Sequence, residues 1–167
     1  MIIGIDPGNS GAVAFIGHGH EYHDVFDLPL MANGKKQQIN PHELKRLLEV
    51  KMIAALAENK VDMLNGGERF HCYIEKVSAM PGQGVASMFN FGMGYGIIQG
   101  VVSALGIPYE LVTPQSWKKR AGLIGKDKDN ARTMAQQLYP DAPLGRKKDI
   151  GRADALLIAR FGNRIGV

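Results

Sequence analysis

The sequence predicts an α/β fold built on a mixed five-stranded sheet, in which three antiparallel strands are followed by parallel strands and helices flank the sheet. The first 28 residues contain three short apolar segments separated by turn-forming residues, a pattern typical of an antiparallel meander. Further along, two short apolar strands alternate with helical segments, which indicates parallel crossover connections. A chain of 167 residues suits one compact domain, so we expect a single domain over 1–167.

The strands of the meander are predicted at 2–6, 11–17 and 20–28. Residues 7–10, with the sequence Pro-Gly-Asn-Ser, form a strong turn signal between the first two strands. Asn33 and Gly34 are expected in a polar loop that follows the third strand.

Helices and strands alternate in the rest of the chain. Asn40 can cap a helix that begins at Pro41, and apolar residues recur at helical spacing to about residue 59. The other predicted elements are a strand at 70–74, a helix at 84–105, a strand at 109–112, a helical region from Pro114, a helix at about 128–138 and a helix at about 150–163. This is the ribonuclease-H-like arrangement, although the order alone leaves several α/β folds open.

Composition narrows the class of protein. Apolar residues make up 45% of the chain and charged residues 22%, which is ordinary for a globular domain. The apolar runs look shorter than the ~20 residues of a membrane span, and no basic region precedes the first strand, so we expect no membrane segment and no secretory signal. The one cysteine, Cys72, excludes an internal disulfide and lies in an apolar strand, where we expect a core role. A reducing, intracellular setting is therefore expected.

The net charge of +4 is unevenly distributed. Residues 114–167 hold twelve Lys and Arg against five Asp and Glu, whereas residues 1–113 hold eight against eleven. Positive charge gathered in one third of a chain can mark a surface that binds a polyanion, and it can equally be a solvated basic face.

Carboxylates stand at the positions where metal chemistry would need them. Asp6 ends the first strand and Glu75 ends the strand at 70–74, while Asp154 lies on an apolar helix, where an unpaired charge is costly. Hard oxygen ligands that converge at one end of a sheet suit Mg²⁺ or Mn²⁺. Simpler roles are also open, since Asp6 can cap a turn, Glu75 can be a solvated strand end and Asp149 can be a helix N-cap.

Four segments resemble the RuvC-type Holliday junction resolvases. Residues 4–11, GIDPGNSG, resemble the G-x-D-P-G opening of that family, and residues 73–77, YIEKV, resemble its second acidic strand. Residues 113–118, TPQSWK, resemble its basic segment, and residues 153–159, ADALLIA, resemble its final acidic helix. The matches follow the family's order over nearly the whole chain.

The resemblance implies a homodimeric, Mg²⁺-dependent endonuclease, with Mn²⁺ able to substitute, that cuts four-way DNA junctions. By match, Asp6, Glu75 and Asp154 would be catalytic metal ligands. Family members often carry another Asp three residues before the last one, and here that position is Gly151, so we expect Asp149 to substitute, as in phage-type relatives. An offset of five residues separates two side chains by about 140° on a regular helix, so this role requires a bend, which Gly151 would permit.

The basic segment supplies the expected nucleic-acid contacts. Lys118 is a catalytic candidate that would neutralise charge at the scissile phosphate, and Trp117 is expected to be a core anchor. The family's aromatic residue after the second acid is replaced by Ser78, so any base stacking would come from Met80 or Phe89. The predicted nucleic-acid-binding residues are Lys118, Lys119, Arg120, Lys126, Lys128 and Arg152, with Arg152 directed outward to phosphate.

The glycine-rich segment at 84–105 is interpreted equally well as a dimer seam or as an internal packing helix. Three other functions compete with the junction endonuclease. A RuvC-like RNA-processing nuclease would keep the fold, and a non-catalytic module would bind branched nucleic acid without cutting it. A sugar or acetate kinase fragment is disfavoured by the length of the chain, because those folds need two large lobes.

Overall fold

The structure is a computed structural model, and it describes residues 1–34, 36–58, 69–78, 82 and 84–162. The strands are β1 (Ile2–Asp6), β2 (Ala12–Ile16), β3 (Tyr22–Asp27), β4 (Leu30–Asn33), β5 (Lys36–Ile39), β6 (His71–Glu75) and β7 (Tyr109–Val112). The helices are α1 (Pro41–Ala57), α2 (Val85–Ala104), α3 (Pro114–Arg120), α4 (Lys128–Leu138) and α5 (Ile150–Phe161), with a 3-10 turn at Lys147–Asp149.

The main sheet has the strand order β3-β2-β1-β6-β7. The pairs β1–β2 and β2–β3 are antiparallel, whereas β1–β6 and β6–β7 are parallel. Helices α1 and α2 lie in the crossovers that parallel pairing requires. The predicted mixed five-stranded sheet is therefore confirmed, and its topology is that of the ribonuclease-H-like fold.

The two faces of the sheet support two separate cores, because successive side chains of a strand point to opposite faces. Ile3 and Ile5 of β1 belong to the cluster that contains residues of α1 and α2, including Leu44 and Ile98. The opposite face packs against α3, α4 and α5. Cys72 lies in the first cluster, where burial raises the pKa of its thiol, so the predicted core role of this cysteine is confirmed.

Helix α5 lies directly on β1, and a glycine makes this contact possible. A Cβ atom at Gly4 would lie 2.2 Å from the backbone oxygen of Ala155 and 2.5 Å from the backbone nitrogen of Ala159. No side chain fits in that space, so the absence of a Cβ at Gly4 sets how closely the helix approaches the strand. The contact places the start of α5 near the end of β1.

The prediction of a polar loop at Asn33 and Gly34 is only partly correct, because Gly34 lies in an exposed turn whereas Asn33 ends β4, and β4 pairs with β5 as a hairpin. Leu30 pairs with Ile39 at its open end, and Gly34 has the positive φ of 60° that favours glycine. The Asn33 side-chain amide donates to Gln38 Oε1 at 2.9 Å. Asn-Gly is itself a hairpin signal, but the polar sequence of β5 hid the second strand.

Helix α2 agrees with the helix predicted at 84–105. Its sequence is apolar over a longer stretch than we expected when we predicted no membrane segment. By length and composition alone it is one helix of the described chain that could cross a membrane. Gly94, Ile98 and Val102 are buried, which is how a helix packs onto the core of a globular domain. Much of the rest of its surface faces outward, including the large side chains of Val85 and Phe89.

Candidate metal centre and nucleic-acid interface

Two of the predicted metal ligands end neighbouring strands. Asp6 is the last residue of β1 and Glu75 is the last residue of β6. The strands pair in parallel with Ile5 opposite Ile74, so Asp6 and Glu75 follow in the same register. Neighbouring strands lie about 4.8 Å apart, and residues in register point to the same face. The sheet therefore brings these two carboxylates to one edge and one face.

Helix α5 brings Asp154 to the same region. A Cβ atom at Gly151 would lie 2.1 Å from the backbone oxygen of Ser10, in the turn after β1, and Ala155 touches Gly4 further along the strand. Asp154 lies between these two contact points on the helix, over the end of β1. Helix α5 begins at Ile150, directly after Asp149, as a metal role for Asp149 requires, but Gly151 is helical, so the chain does not bend at this glycine. Its role is to let α5 approach the turn.

Asp149 is engaged by an arginine. Only 2% of it is exposed, and Arg146 donates to both carboxylate oxygens, from Nη2 to Oδ1 at 2.7 Å and from its backbone nitrogen to Oδ2 at 2.8 Å. The side-chain hydrogen bonds from Arg146 lower the pKa of the Asp149 carboxyl below its ordinary value. Asp149 occupies the N-cap position of α5 but makes no side-chain cap bond to it. Metal binding by Asp149 would require Arg146 to move away.

Glu75 has a hydrogen-bond donor that the sequence did not reveal. Trp117 Nε1 donates to Glu75 Oε1 at 2.8 Å, and none of Trp117 is exposed. The predicted core position of Trp117 is confirmed. Its contact with an acidic residue 42 positions earlier could not be read from local sequence.

The carboxylates do not form a closed ligand set. Within the described ranges, no three His, Cys, Asp or Glu side chains are gathered closely enough to hold a metal ion. The fold brings Asp6, Glu75 and Asp154 to one region, and side-chain rotation would be needed to complete a site. As oxygen donors from three separate elements they fit the preferences of Mg²⁺ and Mn²⁺.

A groove of about 520 Å³ is lined by Lys76, the residue that follows Glu75 in the chain. Lys118 lines it, and its Nζ lies 5.2 Å from the centre of the Trp117 ring. Lys76 lines the same groove and was not among the predicted contacts, although it directly follows an acidic strand end. The remaining lining residues are Val77, Ser78, Phe91, Pro114, Gln115 and Ile124. The groove thus combines two cations with apolar walls.

Two predicted DNA contacts have other partners in the structure. Arg152 forms a two-pronged ion pair with Asp27 at 2.6 and 2.9 Å, so its predicted contact with phosphate, which stays a prediction, would compete with this carboxylate. Arg120 donates to the backbone oxygens of Phe161 and Gly162, at the end of α5. Arg152 thus connects α5 to β3, and Arg120 connects α3 to the end of α5.

The other predicted contacts differ in their surroundings. Lys119 and Lys126 are exposed, and Lys128 begins α4 with its side chain outside the described part of the structure. Of the two candidate stacking residues, Phe89 is 71% exposed on α2 and Met80 lies outside the described residues.

The topology and the positions of the carboxylates define a class of protein. It is a ribonuclease-H-like domain with carboxylates at the ends of β1 and β6 and on α5. No family model matches the sequence. The chloroplastic Holliday junction resolvase MOC1 of Chlamydomonas reinhardtii is 34% identical over 92 residues, which is 53% of this chain and 10% of that protein. The chain therefore spans about a tenth of the length of this curated relative.

Two solved structures are similar to this chain over most of its length. They are Thermus thermophilus RuvC in complex with a Holliday junction substrate and Thermus thermophilus RuvC itself, with TM-scores of 0.49 and 0.47. Each alignment covers 95% of this chain and 90% of the other, at 16% identity.

Proposed function

We propose that this protein is a RuvC-like resolvase, a metal-dependent endonuclease that cuts four-way DNA junctions as a homodimer. The observation that carries the proposal is the placement of Asp6 and Glu75 at adjacent ends of parallel strands, with Asp154 of α5 over the same region. The similarity to a protein named as a Holliday junction resolvase supports branched DNA as the substrate. We expect it to act where such DNA is found, in a bacterial or phage-infected cytoplasm.

Asp6, Glu75 and Asp154 would hold Mg²⁺, or Mn²⁺ in its place, and the bound ions would supply a nucleophilic water and stabilise the leaving oxygen of a phosphodiester. The three side chains come from separate elements, so the fold fixes their spacing. Asp149 would join them as a fourth ligand once Arg146 has released its carboxylate.

The groove beside Glu75 would receive one strand of the DNA. Lys76 and Lys118 line it and would neutralise phosphate charge next to the carboxylates, where an anion is otherwise repelled. Lys119, Lys126 and Lys128 would extend this basic surface along α3 and the start of α4.

The outward side of α2 would form the seam of the homodimer. Val85 is 84% exposed and Phe89 71%, so a large apolar surface is present on one helix. A Cβ atom at Gly92, Gly96 or Gly100 would meet nothing within 4 Å, which leaves room for a second helix to approach. Two symmetric cuts require two sites related by a two-fold axis, and an isologous helix pair provides one.

The proposal is tested by incubating a labelled four-way junction and a matched duplex with the protein, in Mg²⁺ and in EDTA. We expect paired cuts in the junction, in Mg²⁺ only, and an intact duplex. Binding to the junction without a cut would indicate a non-catalytic module. A structured RNA precursor in a parallel reaction separates the RNA-processing alternative, which predicts that the RNA is cut and the junction is not.

A further inference from the structure

The one tryptophan of the chain hydrogen-bonds to a proposed metal ligand. Its indole N–H donates to Glu75 Oε1 at 2.8 Å, and its ring is fully buried in the core between the sheet and α5. A tryptophan N–H can only donate, so this bond assigns Oε1 as an acceptor and leaves the second carboxylate oxygen to other partners.

The backbone around this contact is fixed at several points. Val112 of β7 lies opposite Glu75 of β6, and the backbone nitrogen of Lys76 donates to the Val112 oxygen at 2.7 Å. Thr113 then caps α3, with its side chain accepting from the Ser116 backbone nitrogen at 3.2 Å. Helix α3 therefore begins beside the end of β6, and its first turn carries the indole back to Glu75.

We infer that Trp117 is a positioning residue, whose indole N–H fixes the orientation of the Glu75 carboxylate for a divalent cation. The inference rests on the proposed function of the same site. Outer partners of ligating carboxylates hold their orientation, and their loss typically weakens metal affinity by about 10- to 100-fold. Tight packing prevents the ring from turning, so the direction of the N–H is set before a cation arrives.

The same contact makes the protein's tryptophan emission a reporter of the metal site. Because Trp117 is the only tryptophan, all indole emission comes from the ring bonded to Glu75. We expect a saturable change in this emission when the wild-type protein is titrated with Mg²⁺ or Mn²⁺. The Asp154→Asn variant should show no such change over the same range. Constant wild-type emission at metal concentrations that fill the site would overturn the inference.

A second measurement uses Trp117→Phe, which keeps a large aromatic ring and removes the N–H. Free Mn²⁺, counted by electron paramagnetic resonance, should show affinity reduced by about 10- to 100-fold. Junction binding in EDTA should match the wild type. The matched control is Tyr139→Phe, a polar-atom deletion on a buried aromatic of the same core, which should bind Mn²⁺ normally.

The outcomes separate this inference from the proposed function. Wild-type protein that neither binds Mn²⁺ nor cuts the junction would overturn the proposed function. An active wild type together with a Trp117→Phe variant of normal Mn²⁺ affinity would overturn the inference alone. If Trp117→Phe does not fold, the wild-type emission titration decides the question.

Discussion

At the scale of single residues, the arrangement of charge determines which carboxylates are available to bind a cation and which one is already paired with an arginine. Asp6 and Glu75 end paired strands, whereas Asp149 is held by Arg146 with both of its oxygens engaged. The ion pair occupies the carboxylate of Asp149, so Asp6, Glu75 and Asp154 are the three proposed ligands that it leaves available.

The three remaining carboxylates give the first prediction. Asp6→Asn, Glu75→Gln and Asp154→Asn should each reduce cleavage by at least about 10²-fold, because each removes a ligand charge, while junction binding in EDTA stays at wild-type strength or increases. Cleavage of the labelled junction and a mobility-shift titration measure the two effects. Wild-type cleavage by any two of these variants would refute the assigned site.

Asp149 gives a second prediction at this scale. Asp149→Asn should lower the affinity for Mn²⁺ by several-fold if the residue is a fourth ligand, since the amide lacks the charge. Arg146→Ala should have the opposite effect, because it releases the carboxylate. Mn²⁺ counting on both variants checks this. Equal Mn²⁺ affinity in the wild type and both variants would show that Asp149 only pairs with Arg146 and does not bind the metal.

The residue scale also shows how far the sequence could predict the site. The apolar strands that precede Asp6 and Glu75 mark their ends in the sequence itself, so these positions could be predicted. The partner of Arg152 lies 125 residues away at Asp27, and such a pairing has no local signature. The hydrogen bond from Trp117 to Glu75 could not be predicted for the same reason, since the two residues are 42 positions apart.

At the scale of elements, strands carry two of the proposed metal ligands, whereas helices and their connections carry the basic residues. Alternating apolar residues and turn signals predicted the five strands of the main sheet, whereas the β4–β5 hairpin was missed because its second strand is polar. The two strands that end in the carboxylates Asp6 and Glu75, β1 and β6, are buried between the two cores. Of the basic residues, Lys119 lies exposed on α3 and Lys126 lies exposed in the connection between α3 and α4.

The basic segment should carry much of the salt dependence of junction binding. Replacing Lys118, Lys119, Lys126 and Lys128 by Ala should flatten the slope of log K against log salt by about 0.9 for each phosphate that the variant no longer neutralises. Binding titrations from low to physiological salt measure this slope. Lys45→Ala on α1, where Lys45 pairs with Glu49, is the control and should leave the slope unchanged. An unaltered slope in the quadruple variant would place the DNA on another surface.

At the scale of the whole molecule, α2 exposes large apolar side chains that nothing covers in a single copy of the described chain. Its apolar side chains and open glycines face outward, away from the two cores. A second copy with the same surface would cover them and would set two acidic edges in a symmetric relation.

We therefore predict a homodimer that depends on α2. Analytical ultracentrifugation of the wild type should give the mass of two chains, with or without junction DNA. Phe89→Glu places a charge on the proposed seam and should shift the protein toward a single chain, whereas Ile53→Glu, on the exposed side of α1, should not. A wild-type protein that sediments as one chain in both conditions would contradict the proposed seam.

The packing of α5 on Gly4 has a consequence for the timing of assembly. Strand β1 leaves the ribosome long before the helix that lies on it, because α5 follows every strand of the sheet in chain order. A nascent chain can pair β1 with β2 and later with β6 while the third carboxylate is still unsynthesised. The set of three carboxylates therefore stays incomplete until α5 has been made, and a chain truncated before that point carries only two of the proposed metal ligands.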